Sequence, residues 1–264
     1  PGSTVNDAIE LSLFLKKEGI HPKQVQDFYK TVRTRQSGIL YKEAEELTEN
    51  GKYKEALLKY QKINPQGYDS YLGIANVYQY MKDYKKALEF YLKALNEKPD
   101  DDAVLLTVAG LYVQLDDLSN AETYINKVKN QKNPKVVEIQ NYISAQNANN
   151  ELNKAIQKYE AKDYKSAETI LTDLITKKLG GYMPYYYRAM TYDALGNYKA
   201  AVADYEKVIA TDSSIALVYY SLGVDYDSLK DFTRAIQNYK KFLELSKETN
   251  EYTKYARQRI QQSK

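Results

Sequence analysis

An interval of 34 residues constrains this chain more than any other feature. Six times an alanine is followed four places later by a bulky residue: Ala56 (Tyr60), Ala87 (Tyr91), Ala121 (Ile125), Ala167 (Leu171), Ala201 (Tyr205) and Ala235 (Tyr239). The alanines are 31, 34, 46, 34 and 34 residues apart, the longest gap exceeding the period by 12. Twelve residues before each stands a small residue: Ala44, Ala75, Ala109, Ala155, Ala189 and Gly223. Large residues recur nine before it (Leu47, Tyr78, Tyr112, Tyr192, Tyr226) and sixteen before it (Leu40, Tyr71, Leu105, Tyr185, Tyr219). Offsets of three and four place these groups on one helical stripe. Between the halves sit breakers, Asn50-Gly51, Lys82-Asp83, Asp116-Asp117, Gly196-Asn197 and Lys230-Asp231. The spacing predicts helix, tight turn and antiparallel helix, repeated. Small residues lie where the two backbones cross, and large ones fill the gap to the next pair.

This pattern resembles the tetratricopeptide repeat (TPR) family over residues 37–249, with units at 37–67, 68–101, 102–135, 148–181, 182–215 and 216–249. The resemblance implies an all-α, right-handed helical-repeat superhelix, here as two three-repeat arrays, 37–135 and 148–249. The family's early Trp is Leu or Tyr in this chain, and its closing Pro stays in place only as Pro99, with Pro65 and Pro134 shifted. The first unit is three residues short. In the fourth, Leu152, Ala155, Ile156 and Tyr159 run one place late, which predicts a shorter turn there.

The 12 extra residues before the fourth unit fall in a stretch, 135–161, that has no Gly or Pro. Val136, Ile139, Ile143, Ala148, Leu152, Ala155 and Tyr159 recur along it at near-helical spacing. One long connecting helix, about 40 Å at 1.5 Å per residue, is expected to join the arrays and run into the fourth repeat. Asn147–Asn150 is its weak point, since Asn is a poor helix former. Residues 4–36 are expected to form an N-terminal helical cap, with helices over 5–18 and 22–35 broken at Gly19. Residues 250–264 are expected to form a polar C-terminal capping helix with Lys254, Arg257 and Arg259 outward, as a stack needs for solubility. The opening Pro1-Gly2-Ser3 has the form of a cloning scar and is left out of the fold reasoning.

Composition removes most chemistry. The chain has no Cys and one His, which leaves no disulfide, no thiolate nucleophile and no site needing two imidazoles. No Gly-rich phosphate loop and no Gly-x-Ser-x-Gly occurs. His21, before Pro22, reads as a surface or capping residue; Asp100-Asp101-Asp102 reads as acids complementing a helix start rather than a metal site. The expectation is a non-enzyme without cofactor or metal. Residues 1–147 carry 20 basic and 20 acidic side chains and residues 148–264 carry 18 and 15, a balance that argues against nucleic acid. No run reaches the roughly 18 apolar residues of a membrane span. The missing cysteine suits an extracytoplasmic, periplasmic home and permits a cytoplasmic one.

What remains is surface. The resemblance implies that first helices line a concave groove that takes a peptide or helix of a partner protein. In the fifth and sixth units the groove positions hold Met183, Tyr186, Tyr187, Met190, Asp193, Leu217, Tyr220, Ser221, Val224 and Asp227, and Tyr and Met are adaptable contact residues. In the first three units they hold Tyr41, Lys42, Leu72, Asn76, Tyr80, Leu106, Thr107 and Val113. The family's chaperone-tail adaptors grip a carboxylate with Lys, Asn and Arg. At those places stand Tyr41, Glu45, Gly73, Ala103 and Thr107 in one array and Leu152, Ile156, Tyr187, Leu217 and Ser221 in the other, so no such binding is expected. The leading expectation is an interaction scaffold in assembly or localisation of a bacterial envelope, secretion, pilus or flagellar complex. The alternative is a docking module of a larger enzyme whose catalytic domain lies elsewhere. Self-association through an uncapped edge is a further possibility.

Overall fold

A computed structural model describes residues 22–262. Among them are thirteen helices and no strand. The chain divides into two compact units, one through Gln140 and one from Asn141.

In the first unit lie α1 (Pro22–Glu49), α2 (Tyr53–Gln61), α3 (Tyr68–Tyr80), α4 (Tyr84–Glu97), α5 (Asp102–Gln114) and α6 (Leu118–Ile125). Each odd helix packs on the even helix after it, and neighbouring pairs pack in turn. Ala44, Ala56, Tyr60, Ile74 and Val77 form the core of the first pairs. A Cβ on Gly73 would collide with the Tyr60 ring, so that position accepts only glycine without repacking. The expected cap boundary near residue 36 is not a break: α1 runs through it as one helix of 28 residues. Gly38 inside it meets nothing within 4 Å and imposes no turn. The proposed helix over 5–18 lies outside the described residues.

The helix α7 (Pro134–Glu160) is a single helix of 27 residues. Asn133 caps it through its side chain, which accepts the Lys135 N–H at 3.0 Å. The run Asn147–Asn150 is helical throughout, held by Ala148, which is buried with Leu152 and Ala155 against α8 (Tyr164–Thr176). Tertiary burial here outweighs weak intrinsic propensity. The second unit continues with α9 (Met183–Ala194), α10 (Tyr198–Thr211), α11 (Ala216–Ser228), α12 (Phe232–Leu245) and α13 (Glu251–Gln262). Its core includes Ala189, Ala201, Tyr205, Leu222, Ala235, Tyr239 and Phe242. Burying a side chain such as Phe242 contributes about 1.5–3 kcal/mol.

One turn recurs. A left-handed residue stands at Gly51, Lys82, Asp116, Lys162, Gly196 and Lys230, with φ between 60° and 74°. The next N–H closes back on the carbonyl five residues before it, as from Asp83 to Tyr78 at 2.9 Å and Asp231 to Tyr226 at 2.8 Å. This is the Schellman closure of a helix end. Asp83, Asp117, Asp163, Asn197 and Asp231 then cap the following helix, each side chain accepting an N–H three residues on. The fourth unit's turn is not shorter: Asp163 N–H meets the Lys158 carbonyl at 2.9 Å, the same closure. What shifts there is the apolar stripe, not the loop.

Candidate partner-binding groove

The second helix of a repeat sends a tyrosine hydroxyl toward the first. Tyr91, Tyr205 and Tyr239 are buried, and their hydroxyls donate to Gln79 (2.6 Å), Asp193 (2.7 Å) and Asp227 (3.0 Å) respectively. Tyr91 also meets Asn76 at 2.5 Å. A phenol packs its ring as a hydrophobe and gives its hydroxyl an acceptor on the neighbouring helix, which Phe does not. Three groove positions read from sequence, Asn76, Asp193 and Asp227, are therefore already engaged within the chain.

In the second unit Met183 and Tyr187 pack on the α7–α8 core. Tyr186, Met190, Tyr220 and Val224 pack on the core of the helices that follow. Tyr186 meets Tyr187 and Tyr205 edge-on, with centroids 5.5 and 6.2 Å apart. Tyr220 touches four rings: Tyr252 at 4.9 Å, Phe242 at 5.4 Å, and Tyr239 and Tyr255 at 6.1 Å. Burial raises the hydroxyl pKa of both Tyr186 and Tyr220, and neighbouring phenols add to it. These rings are half-buried. The exposed apolar groups beside them are Leu217 (47 %), Tyr252 (48 %) and Tyr255 (40 %).

Two of those three lie on α13, which sequence reasoning treated as polar cover. Continuing the 34-residue interval beyond the sixth unit was the available signal, since it puts Tyr252 and Tyr255 on another first helix. Arg259 is a correction. Instead of pointing outward it clamps Asp227, Nε to Oδ2 at 2.8 Å and Nη2 to Oδ1 at 2.7 Å. A planar guanidinium satisfies a partly buried carboxylate with two parallel bonds, which open water does not match in geometry. The pair Arg188–Asp204, also bidentate at 2.7 and 2.8 Å, ties α9 to α10 and was likewise not foreseen.

The first unit offers something different. An open cavity of about 540 Å³ is lined by Tyr41, Glu45, Ile63, Pro65, Tyr68 and Asp69 among others. Tyr41 stands edge-on to Tyr60 at 5.6 Å, and its pKa is pushed up to about 12 by burial and by Glu45. Leu72 is half-buried and does not line the cavity. Tyr80 is exposed (63 %) and stacks on Tyr53. Of the eight first-unit groove positions, Tyr41 and Lys42 line this cavity.

The acidic run has structural employment. Asp101 caps α5 by accepting the N–H groups of Ala103 and Val104 and also takes the Tyr68 hydroxyl at 2.6 Å. Asp102 accepts the Lys129 N–H at 2.8 Å, and Asp100 pairs with the Lys129 ammonium at 2.6 Å. Among the described residues no group of three or more acids or His is placed to hold a metal, and no helix is long and apolar enough to cross a membrane. His21 lies outside the described residues.

Fold and surface define a helical-hairpin repeat protein, a class whose members present ridged surfaces to other macromolecules. Residues 68–101 match the tetratricopeptide repeat, and so do 184–214 and 216–249. The chain is a tetratricopeptide-repeat family protein. No curated protein sequence matches it. Among solved structures it is similar to a tetratricopeptide repeat protein from Parabacteroides merdae ATCC 43184, at 22 % identity over 97 % of each chain and a TM-score of 0.36. It is also similar to the TPR2AB domain of yeast Sti1, solved in complex with pHSP90, at 16 % identity over 87 % of this chain and 99 % of that one, with a TM-score of 0.48. A third likeness is PilW, described as a widely conserved type IV pilus biogenesis factor, at 20 % identity over 83 % and 97 % and a TM-score of 0.37.

Proposed function

We propose that the second unit captures a peptide or helix of a partner protein along α9, α11 and α13, and that the chain works as a non-catalytic scaffold. The observation that carries this reading is the exposed set Leu217, Tyr252 and Tyr255 around the half-buried Tyr220 ring. Leu217 and Tyr220 share a face of α11 by helical spacing. Exposed aromatic and aliphatic groups set beside rigid rings suit an anchor residue of a partner, because little side-chain entropy is lost on contact. Tyr186, Tyr187, Met183 and Met190 extend the same character along α9. The positions that hold a carboxylate tail in chaperone adaptors carry Leu152, Ile156, Tyr187, Leu217 and Ser221 here, which favours an apolar or aromatic anchor over a terminal carboxylate. We further propose that such a scaffold serves the assembly or localisation of a bacterial envelope, secretion, pilus or flagellar complex.

The test is capture of partner proteins by crosslinking in the source cells. Tyr186→Ala with Tyr220→Ala removes half-buried rings, so a second variant, Leu217→Glu with Tyr252→Ser, acts only at exposed positions. Both are expected to lose capture at least tenfold, the second with unchanged thermal unfolding. Full capture by the second variant would place the site elsewhere. A second copy of the chain as occupant would show as a dimer by light scattering, lost in the same variant.

A further inference from the structure

Asp193 and Asp227 stand 34 residues apart, as do Asp225 and Arg259. In the α11–α13 seam, Arg259 meets Asp227. In the α9–α11 seam the equivalent place opposite Asp193 is taken by Asp225. Two acids thus stand where the repeat elsewhere sets an acid against a base. Asp225 is 1 % exposed. Asp193 Oδ1 and Asp225 Oδ2 are both buried without a hydrogen-bond partner.

Among the described residues the groups around the pair supply no cation. Asp193 Oδ2 accepts the Tyr205 hydroxyl of α10 at 2.7 Å, and Tyr159 of α7 also feels its charge. Ser221 of α11, an uncharged group, stands near the same Tyr205 hydroxyl. Arg259 of α13 is committed to Asp227, and Arg188 of α9 to Asp204. Two unscreened negative charges in such a place repel strongly, and an unmet buried carboxylate oxygen costs free energy. One proton resolves both problems. The carboxyls lie within hydrogen-bonding reach, so a protonated Asp225 donates to Asp193 and supplies the missing partner of each orphan oxygen.

We propose that Asp193 and Asp225 hold one proton between them at neutral pH, and that this shared proton makes the α9–α11 seam of the second unit pH-sensitive. Burial, then the Asp193 charge, pushes Asp225 up to about 9, and burial raises Asp193 as well. The two titrate as a unit. The sign follows from linkage: the folded carboxyl holds its proton at a pH where the unfolded one has released it, so stability falls as pH rises. The contribution is complete below the ordinary Asp value near 4 and is lost progressively up to about 9. Other perturbed groups act outside that span. Asp100, Asp101, Asp117, Asp163, Asp212 and Asp231 are all lowered, so their contributions fade only toward acid. The perturbed tyrosines and Lys129 are raised and act in alkali.

The experiment needs no partner, so its outcome is separate from that of the groove reading. Thermal unfolding of the full chain is followed from pH 5 to 9 for the natural sequence and for Asp225→Asn. His21 is common to both, so the difference between their slopes reports the pair. The natural chain is expected to lose several degrees across the range, while Asp225→Asn loses less than half as much and melts higher at pH 8. In the natural chain, the carbon-13 carboxyl resonance of Asp225, assigned through bonds, is expected to titrate above pH 7. Equal slopes, or a resonance that titrates below pH 5, would overturn the proposal. Should Asp225→Asn not fold, the resonance of the natural chain decides alone.

Discussion

Two seams of the second unit are built on one plan and finished differently. In the α11–α13 seam, Asp227 receives Tyr239 and both arms of Arg259. In the α9–α11 seam, Asp193 receives Tyr205 and faces Asp225. A bidentate ion pair fastens α13 to α11. The inner helix is packed on both sides, with Val218, Tyr219, Leu222 and Tyr226 buried on α11, and there the repeat tolerates an acid pair. The difference teaches that the same repeat position takes a base against its acid in one seam and, among buried apolar side chains, a second acid in the other.

The harshest way to break the contrast is Arg259→Asp, which turns the outer seam into a copy of the inner one. Removing one partner from a desolvated pair costs about 3–5 kcal/mol. The Arg259 side chain is 26 % exposed, which argues for the lower end. Chemical denaturation should show it, and stability should become steeper in pH as the new carboxyl pair titrates. A loss below 1 kcal/mol would mean that the clamp is ornamental.

Deleting the same hydroxyl from each seam sharpens the comparison. Tyr205→Phe leaves Asp193 Oδ2 without its donor, and an unmet buried acceptor costs about 1–3 kcal/mol. Tyr239→Phe leaves Asp227 Oδ2 still bonded by Arg259, so about 1 kcal/mol is expected. Equal losses in denaturant midpoint at unchanged slope would show that the acids are equivalent after all.

Gly223 stands where the inner seam has Ala189. An added Cβ on Gly223 meets Tyr239 Cε1 at 2.5 Å, so Gly223→Ala forces the ring aside for about 1–2 kcal/mol. A neutral outcome by thermal unfolding would show that the outer ring can settle as Tyr205 does over Ala189. Smallest of all is the exchange of turn residues. Lys230→Gly at φ 62° should gain a few tenths to about 1 kcal/mol, and Gly196→Ala at φ 72° should lose about as much.

Much of the fold was legible because repetition averages away local noise. The spacing from Ala to a bulky residue four places on anticipated the helical hairpins, since the small and large positions of antiparallel helices must interlock whatever the partner. Boundaries within long helices were less legible. Ser37 and Gly38 are weaker helix formers than Gln36, yet the chain continues through them in α1. In the fourth unit the stripe slipped while the turn did not, because the Schellman closure is set by the turn residues and not by the apolar face. The candidate groove was legible as a row of positions. Which of those positions are free was not: Asp193, Asp227 and Asn76 were chosen for their register, and their occupants arrive from 12 to 32 residues away. Tyr252 and Tyr255 were hidden by the charges around them on α13.

By itself the sequence determined the all-helical class, the hairpin repeat and the turn positions, because these follow from periodicity and residue type over short range. Only tertiary structure decided whether an acid meets a base or another acid, and whether a tyrosine shows its ring or only its hydroxyl. Those outcomes depend on side chains from three helices meeting in space, and a one-dimensional pattern fixes which face a residue takes but not what stands opposite it.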